Sequence, residues 1–171
     1  MRELSGELKT GKGAKGRGKG APDPARLFEG AGGGPLVERL RAEGPFASGH
    51  AMLARAGEIV RGLSEAEQIT VINAHPRIGE RAEQVRAQSA LSFREQGYDH
   101  DETSPEVFRE SARLNEAYEQ KFGFRFVVFV NRRPKEALLP VLEARLRRSR
   151  DEERTTALEE ILAIAADRLK D

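Results

Sequence analysis

Two short stretches hold the residues best suited to chemistry. The first is Ile72-Asn73-Ala74-His75-Pro76-Arg77-Ile78-Gly79, which contains the only His-Pro pair in the chain. The second is Ser92-Phe93-Arg94-Glu95-Gln96. An imidazole exchanges a proton near neutral pH because its ordinary pKa is about 6.5. The residue before a proline is driven out of the helical region, so His75 is expected at a helix-to-loop corner. A histidine held on a rigid corner suits general acid/base work. Ser92, Glu95 and Gln96 are spaced i, i+3, i+4 and share one face of a helix. A hydroxyl, a carboxylate and an amide on that face can grip a small polar ligand. The bland alternatives are a capped helix end and a solvated helix face, and neither stretch alone excludes them.

The surrounding elements read as helices. Asp23-Pro24 fits an N-cap followed by a first-turn proline, with a short helix over Leu27-Phe28-Glu29 that stops at Gly30. A helix from Pro35 ends at Gly44-Pro45, and a longer one runs from about Phe46 to Gly62. Ser64-Glu65-Ala66-Glu67 is a capping box that opens the helix ending at His75-Pro76. One helix is expected from about Gln88 to Gln96, then a polar loop from Tyr98 to Thr103. Ser104-Pro105 opens the next helix. Val107, Ser111, Leu114, Tyr118 and Phe122 mark its apolar face, and Gly123 ends it. Phe126-Val127-Val128-Phe129-Val130 is apolar and β-branched but has no evident partner strand. It is expected as a buried extended segment, whose backbone N–H and C=O groups need partners that a bound polar ligand could in part supply. Pro134 starts another helix, and Ser149-Arg150-Asp151-Glu152 is a second capping box that opens the terminal one. Arg168 lies on the apolar stripe of that last helix. It must either meet an anion or snorkel past the helix end. The expected fold is all-α, a single-domain bundle of about eight helices with one buried extended segment.

The chain has 171 residues, enough for one domain with a core. Its net charge of +1 hides an uneven split, because residues 1–20 alone sum to +4. Residues 9–22 alternate glycine with cations, so 1–22 are expected as a disordered basic tail and 23–171 as the helical domain. There is no cysteine, which fits a cytoplasmic protein without disulfides or thiolate metal sites. No apolar run suits a membrane span. His50 and His100 form no metal-ligand spacing with other residues, so no metal is expected.

Taken in order, His75-Pro76-Arg77-Ile78-Gly79, Ser92-x-x-Glu95-Gln96 and Lys121-Phe122-Gly123-Phe124-Arg125-Phe126-Val127-Val128-Phe129-Val130 resemble the 2-oxo-4-hydroxy-4-carboxy-5-ureidoimidazoline (OHCU) decarboxylases of urate degradation. The likeness runs from about Leu27 to the terminal helix. It implies an all-helical and often dimeric fold, here a homodimer, and a cofactor-free conversion of OHCU to (S)-allantoin. It further implies His75 as the acid/base residue, with Glu95 also catalytic and Pro76 lining the site. Ser92, Glu95 and Gln96 would hold the ureido and ring groups, within a substrate-binding stretch that includes Phe93 and Arg94. The backbone from Phe126 through Val127, Val128 and Phe129 to Val130 would contact the ring, and Arg168 would meet the carboxylate. The chain departs from the family in two places. Arg125 stands where proline is common, and the loop after Glu29 is glycine-rich. The competing class is a catalytically silent helical module that binds a ligand or a polyanion, with the basic tail as a weak nucleic-acid contact. A third possibility is a related helical enzyme acting on another ureido compound.

Overall fold

Most helices begin where a side chain or a proline caps them. The computed structural model describes residues 20–31, 34–100 and 103–170. Asp23 accepts from the Ala25 N–H and opens α1 (Pro24–Leu27). α2 (Pro35–Glu43) has proline in its first turn and stops before Gly44. α3 (Gly49–Gly62) starts later than the expected Phe46, because Ser48 supplies the cap by accepting from the Ala51 N–H. α4 (Glu65–Asn73) carries both halves of the expected capping box. Ser64 Oγ accepts from the Glu67 N–H, and Glu67 accepts from the Ser64 N–H.

The largest difference from the sequence expectation lies between residues 82 and 88. The helix expected from about Gln88 to Gln96 is α6 (Ala90–Glu95), but a further helix, α5 (Ala82–Gln88), precedes it where none was expected; Ser89, whose φ of −160° and ψ of 122° are extended, separates the two. Ser89 ends α5, and its hydroxyl accepts from the Ser92 N–H to begin α6. A serine that bonds locally can compete with the helix in this way. α7 (Pro105–Phe122) is capped by Ser104 and ends at Gly123, whose φ of 80° is left-handed. α8 (Lys135–Arg145) follows Pro134, and α9 (Arg150–Arg168) opens on the second capping box, Ser149 with Glu152. The fold is all-α, and among the described residues no helix is long and apolar enough to cross a membrane.

α9 packs against α3, α4 and α7, α2 lies on α3 and α4, and α8 rests on α7. Leu36, Leu40, Met52, Ile72 and Ile161 are all buried where these helices meet. Each such side chain contributes about 1.5–3 kcal/mol by leaving water. A smaller cluster of Val85, Phe93 and Tyr98 joins α5 and α6 to the edge of α7. Residues 1–19 of the expected tail lie outside the described residues, and Ala21 already packs on the core.

Phe126–Val130, expected as a buried extended segment, belongs to no helix or strand among the described residues and is buried except at the half-buried Phe129. Side chains satisfy its backbone instead. Glu160 of α9 accepts from the Phe129 N–H at 2.6 Å, and Arg145 of α8 donates to the Val127 carbonyl at 2.6 Å. Arg133 donates to the carbonyls of Phe129 and Val130. Arg145 is held in turn by Glu153, which is fully buried. Glu153 accepts from Arg145 Nε at 2.7 Å, Arg148 Nη1 at 2.9 Å and the Tyr118 hydroxyl at 2.6 Å. Burial and the adjacent carboxylate hold the Tyr118 phenol well above its ordinary pKa, so it stays a donor. Removing one partner of a buried ion pair leaves the other uncompensated, at about 3–5 kcal/mol. Glu153→Ala should therefore lower stability by about that amount in urea denaturation, whereas Ala at the exposed Glu159 of the same helix should change it by less than about 0.5 kcal/mol.

Candidate active site

His75 stands just beyond the end of α4. Its N–H still donates to the Ile72 carbonyl, but Pro76 prevents another helical turn. The corner was expected; the depth of burial was not. His75 is 3% exposed. Its Nδ1 lies 2.7 Å from the Pro76 carbonyl, an acceptor only, so Nδ1 carries the proton and donates it there. Nε2 is left as the basic nitrogen. Burial, and after it the positive charges of Arg168 and Arg125, lower the imidazole pKa to about 4; the Pro76 bond acts the other way. The ring is therefore neutral at pH 7.

α6 supplies the next group. Ser92 and Gln96 are buried, and Ser92 Oγ, Gln96 Nε2 and Gln96 Oε1 have no hydrogen-bond partner. Buried polar atoms are rarely left so, and three together mark a place where a ligand belongs. Gly30 comes so close that a Cβ there would sit 2.5 Å from Ser89 Cβ and 2.9 Å from Ser92 Oγ, and its φ of 60° also favours glycine. A turn of the α1–α2 connection thus backs the Ser92 side of the site.

Arg168 does not snorkel. Its side chain is 8% exposed and forks onto Glu95, with Nε to Oε1 at 2.6 Å and Nη2 to Oε2 at 2.9 Å. Nη1 donates to the carbonyls of Leu27 and Glu29, both at 2.8 Å. Among the described residues these bonds leave one Nη2 hydrogen of the guanidinium uncommitted. The carboxylate of Glu95 keeps further lone pairs. The two side chains thus form one joined unit, with a donor and an acceptor to spare.

These groups line a cavity of about 930 Å³, within the range of small-molecule sites. His75, Ser92, Arg94, Glu95, Gln96, Val128, Phe129, Val130 and Arg168 all contribute to its wall. Four candidate residues lie outside that wall. Pro76 is buried behind His75 and holds its ring. Phe93 stacks on Tyr98 at 5.4 Å, and the Arg86 guanidinium lies 4.2 Å from the centre of the Phe93 ring. Phe126 lies in an aromatic cluster with Tyr118, and Val127 is buried with its carbonyl on Arg145.

The cavity also uses residues that sequence reasoning missed. Asn131 and Arg132 lie on its wall with left-handed φ values of 48° and 60°. Asparagine tolerates that conformation, but nothing in the sequence signals two such residues in succession. Lys135 is buried at the start of α8. Its ammonium donates to the Gln96 carbonyl at 2.9 Å and lies 4.0 Å from the centre of the Tyr98 ring. By position in the sequence it resembles an ordinary solvated first-turn lysine.

A helical domain with one buried neutral imidazole, an Arg–Glu fork and unpaired polar atoms around a single cavity has the form of a small-molecule acid/base enzyme. The OHCU decarboxylase family model matches residues 26–170. The chain belongs to the OHCU decarboxylase family. Among its relatives, the 2-oxo-4-hydroxy-4-carboxy-5-ureidoimidazoline decarboxylase of Haloferax volcanii is 33% identical over 134 residues, 78% of each chain. A uric acid degradation bifunctional protein of Bacillus subtilis is 33% identical over 137 residues, 80% of this chain but 27% of that larger protein. The fold is similar to a crystal structure of OHCU decarboxylase in the presence of (S)-allantoin, with a TM-score of 0.67, 21% identity, and coverage of 87% of this chain and 96% of that one.

The direction of the His75 shift has a consequence for stability. The folded pKa of about 4 lies below the unfolded value of 6.5, so between them the unfolded chain binds more protons. This contribution is complete above pH 6.5 and is lost as pH falls towards 4; the difference corresponds to about 3 kcal/mol. His75→Asn keeps a donor near Nδ1 without titrating. Its urea midpoint should fall less steeply than the parent's over that pH range, and parallel curves would refute the assignment.

Proposed function

We propose that this protein decarboxylates OHCU to (S)-allantoin in urate degradation, with His75 and Glu95 as its catalytic residues. The observation that carries the proposal is the neutral imidazole of His75, tied at Nδ1 and lining the same cavity as the Glu95–Arg168 fork. Family membership supplies the substrate. The OHCU ring carbon carries both a carboxylate and a hydroxyl. Breaking the bond to the carboxylate releases CO2 and leaves an electron pair that must spread into a neighbouring C=N or C=O. Donors aimed at that charge lower the barrier. A proton delivered from one side then fixes the hand of the product.

In this scheme loss of CO2 pushes the electron pair into the neighbouring C=N, whose nitrogen takes the net proton consumed from water; Nε2 of His75 then moves the hydroxyl proton to the adjacent ureido-bearing carbon as the hydroxyl carbon becomes a carbonyl. Glu95 accepts N–H bonds from the ureido group or ring while it remains forked to Arg168. The spare Nη2–H of Arg168 meets the carboxylate or a ring carbonyl. Ser92 Oγ and both polar atoms of Gln96 complete the hydrogen bonds of the ureido and ring groups. Val128, Phe129 and Val130 form the wall against the ring face. A homodimer in the cytoplasm belongs to the same proposal, on the strength of the family likeness and the cysteine-free sequence, and light scattering of the purified protein tests the assembly. No observation favours a silent binding module.

Freshly generated OHCU, followed by circular dichroism, tests the activity directly. His75→Ala should reduce turnover by roughly 10² to 10⁴-fold, the usual contribution of a general acid/base group. Near-parental formation of (S)-allantoin by that variant would rule out the role. Glu95→Gln sets an amide against the guanidinium and a substrate N–H, so its rate should fall at least roughly tenfold. Arg168→Lys loses the planar fork and should also be impaired; a silent Arg168→Lys would mean that only charge is needed there.

A further inference from the structure

We infer that Arg125, on the segment after α7, is a positioning residue that fixes the His75–Pro76 peptide and through it the orientation of the catalytic ring; this rests on the role proposed for His75. Arg125 is bonded twice to the histidine corner. Its guanidinium Nη1 donates to the His75 carbonyl at 2.9 Å, and its backbone N–H to Asn73 Oδ1 at 3.0 Å. These bonds bridge positions about fifty residues apart in sequence, joining the end of α4 to the segment that walls the cavity.

The effect on the ring follows from covalent geometry. The His75 carbonyl lies in the same rigid plane as the Pro76 nitrogen. The proline ring fixes the next φ, so holding that plane also restricts the direction of the Pro76 carbonyl. That carbonyl is the acceptor for His75 Nδ1–H. Arg125 therefore reaches the ring through one peptide plane, one constrained φ and one hydrogen bond. The other side of the corner is anchored separately, by Asn115 on the Ile78 carbonyl and by the Arg77 fork on Glu119. Without Arg125 the carbonyl of a buried residue loses its side-chain donor and the plane is free to tilt.

The charge acts in the same direction. Arg125 disfavours a second proton on His75, as does Arg168 of α9, on which Glu95 of α6 is forked. The same cavity wall also carries the cations Arg94, Arg132, Arg133 and Lys135 and the carboxylates of Asp99, Glu136 and Asp167. Arg125 thus supports the tautomer through the peptide plane and adds to a neutrality set first by burial.

The test is a pH titration of the His75 ring nitrogens by long-range ¹H–¹⁵N NMR, with His75→Asn identifying the signals. The parent should show the neutral Nδ1–H tautomer across the neutral range. In Arg125→Met the titration should move up by about one pH unit, with mixing of the two tautomers. Arg125→Lys keeps the charge and should titrate like the parent. In turnover of OHCU, Arg125→Met should lower kcat between roughly tenfold and a hundredfold with little change in KM, because the reacting groups are misaligned more than the substrate is released. A folded Arg125→Met with parental tautomer and titration would overturn the inference. If Arg125→Met does not reach the native far-ultraviolet spectrum, Arg125→Gln is judged by the same two outcomes. The titration needs no substrate, so an inactive parent would sink the proposed activity and leave this result readable.

Discussion

An irregular segment inside a helix bundle has no neighbouring strand to satisfy its backbone, and burial keeps water from most of it. That constraint shapes the centre of this protein. Phe126–Val130 must be buried because it forms both core and cavity wall. Its polar groups are met by side chains from the flanking helices, chiefly Arg145 and Glu160, and by Arg133 in the following turn. Arg145 can serve only because Glu153 neutralises it in the core. An ion pair in the interior contributes little net stability by itself. Here its consequence is geometric: it sets the position of a backbone that α8 and α9 could not otherwise hold.

The cavity follows the opposite rule. Ser92 Oγ and both polar atoms of Gln96 are buried without partners, although the backbone around them is fully capped. Such atoms are costly in an empty protein and favourable once a complementary ligand is in place. The short length of α6 serves this arrangement. Ser89 starts the helix and Gln96 ends it, so Ser92, Glu95 and Gln96 occupy little more than a single turn, and Lys135 fastens the Gln96 carbonyl to the start of α8. Positioning by short caps and one buried cation leaves little slack between the face that binds and the segment opposite.

Local signals in the sequence located most elements. The paired Ser and Glu of both capping boxes, the helix end forced by Pro76, and Gly123 in a left-handed conformation are all decided within a few residues. The i, i+3, i+4 face likewise brings Ser92, Glu95 and Gln96 to one cavity. The missed features depend on distant partners. α5 was not expected at all, and Ser89, which ends it, caps α6 with its hydroxyl. Phe93 lies within the recognition stretch, yet it faces Tyr98 because successive helical residues point in different directions. The sequence placed Arg168 on an apolar stripe and left it between a clamp and a snorkel; only the fold brings Glu95, some seventy residues away, into its fork. Lys135 and the left-handed pair Asn131–Arg132 carried no local mark at all.

The low basicity of His75 looks at first like a handicap for a proton-transfer residue. In the proposed reaction it is an advantage at the second step. A neutral imidazole is fully available as a base at pH 7, though it is a weak one. Once it has taken a proton, the imidazolium is buried and faces two guanidinium groups. It is then a strong acid, and the enolate left by departing CO2 is basic at the neighbouring ureido-bearing carbon. The charges that oppose the first transfer favour the second. Loss of CO2 drives the overall reaction, so the enzyme needs prompt protonation on one face more than it needs a strong base. A buried imidazole with Nδ1 tied to a peptide carbonyl has only Nε2 left to offer a proton, and in the proposed reaction that single direction would set the hand of the product.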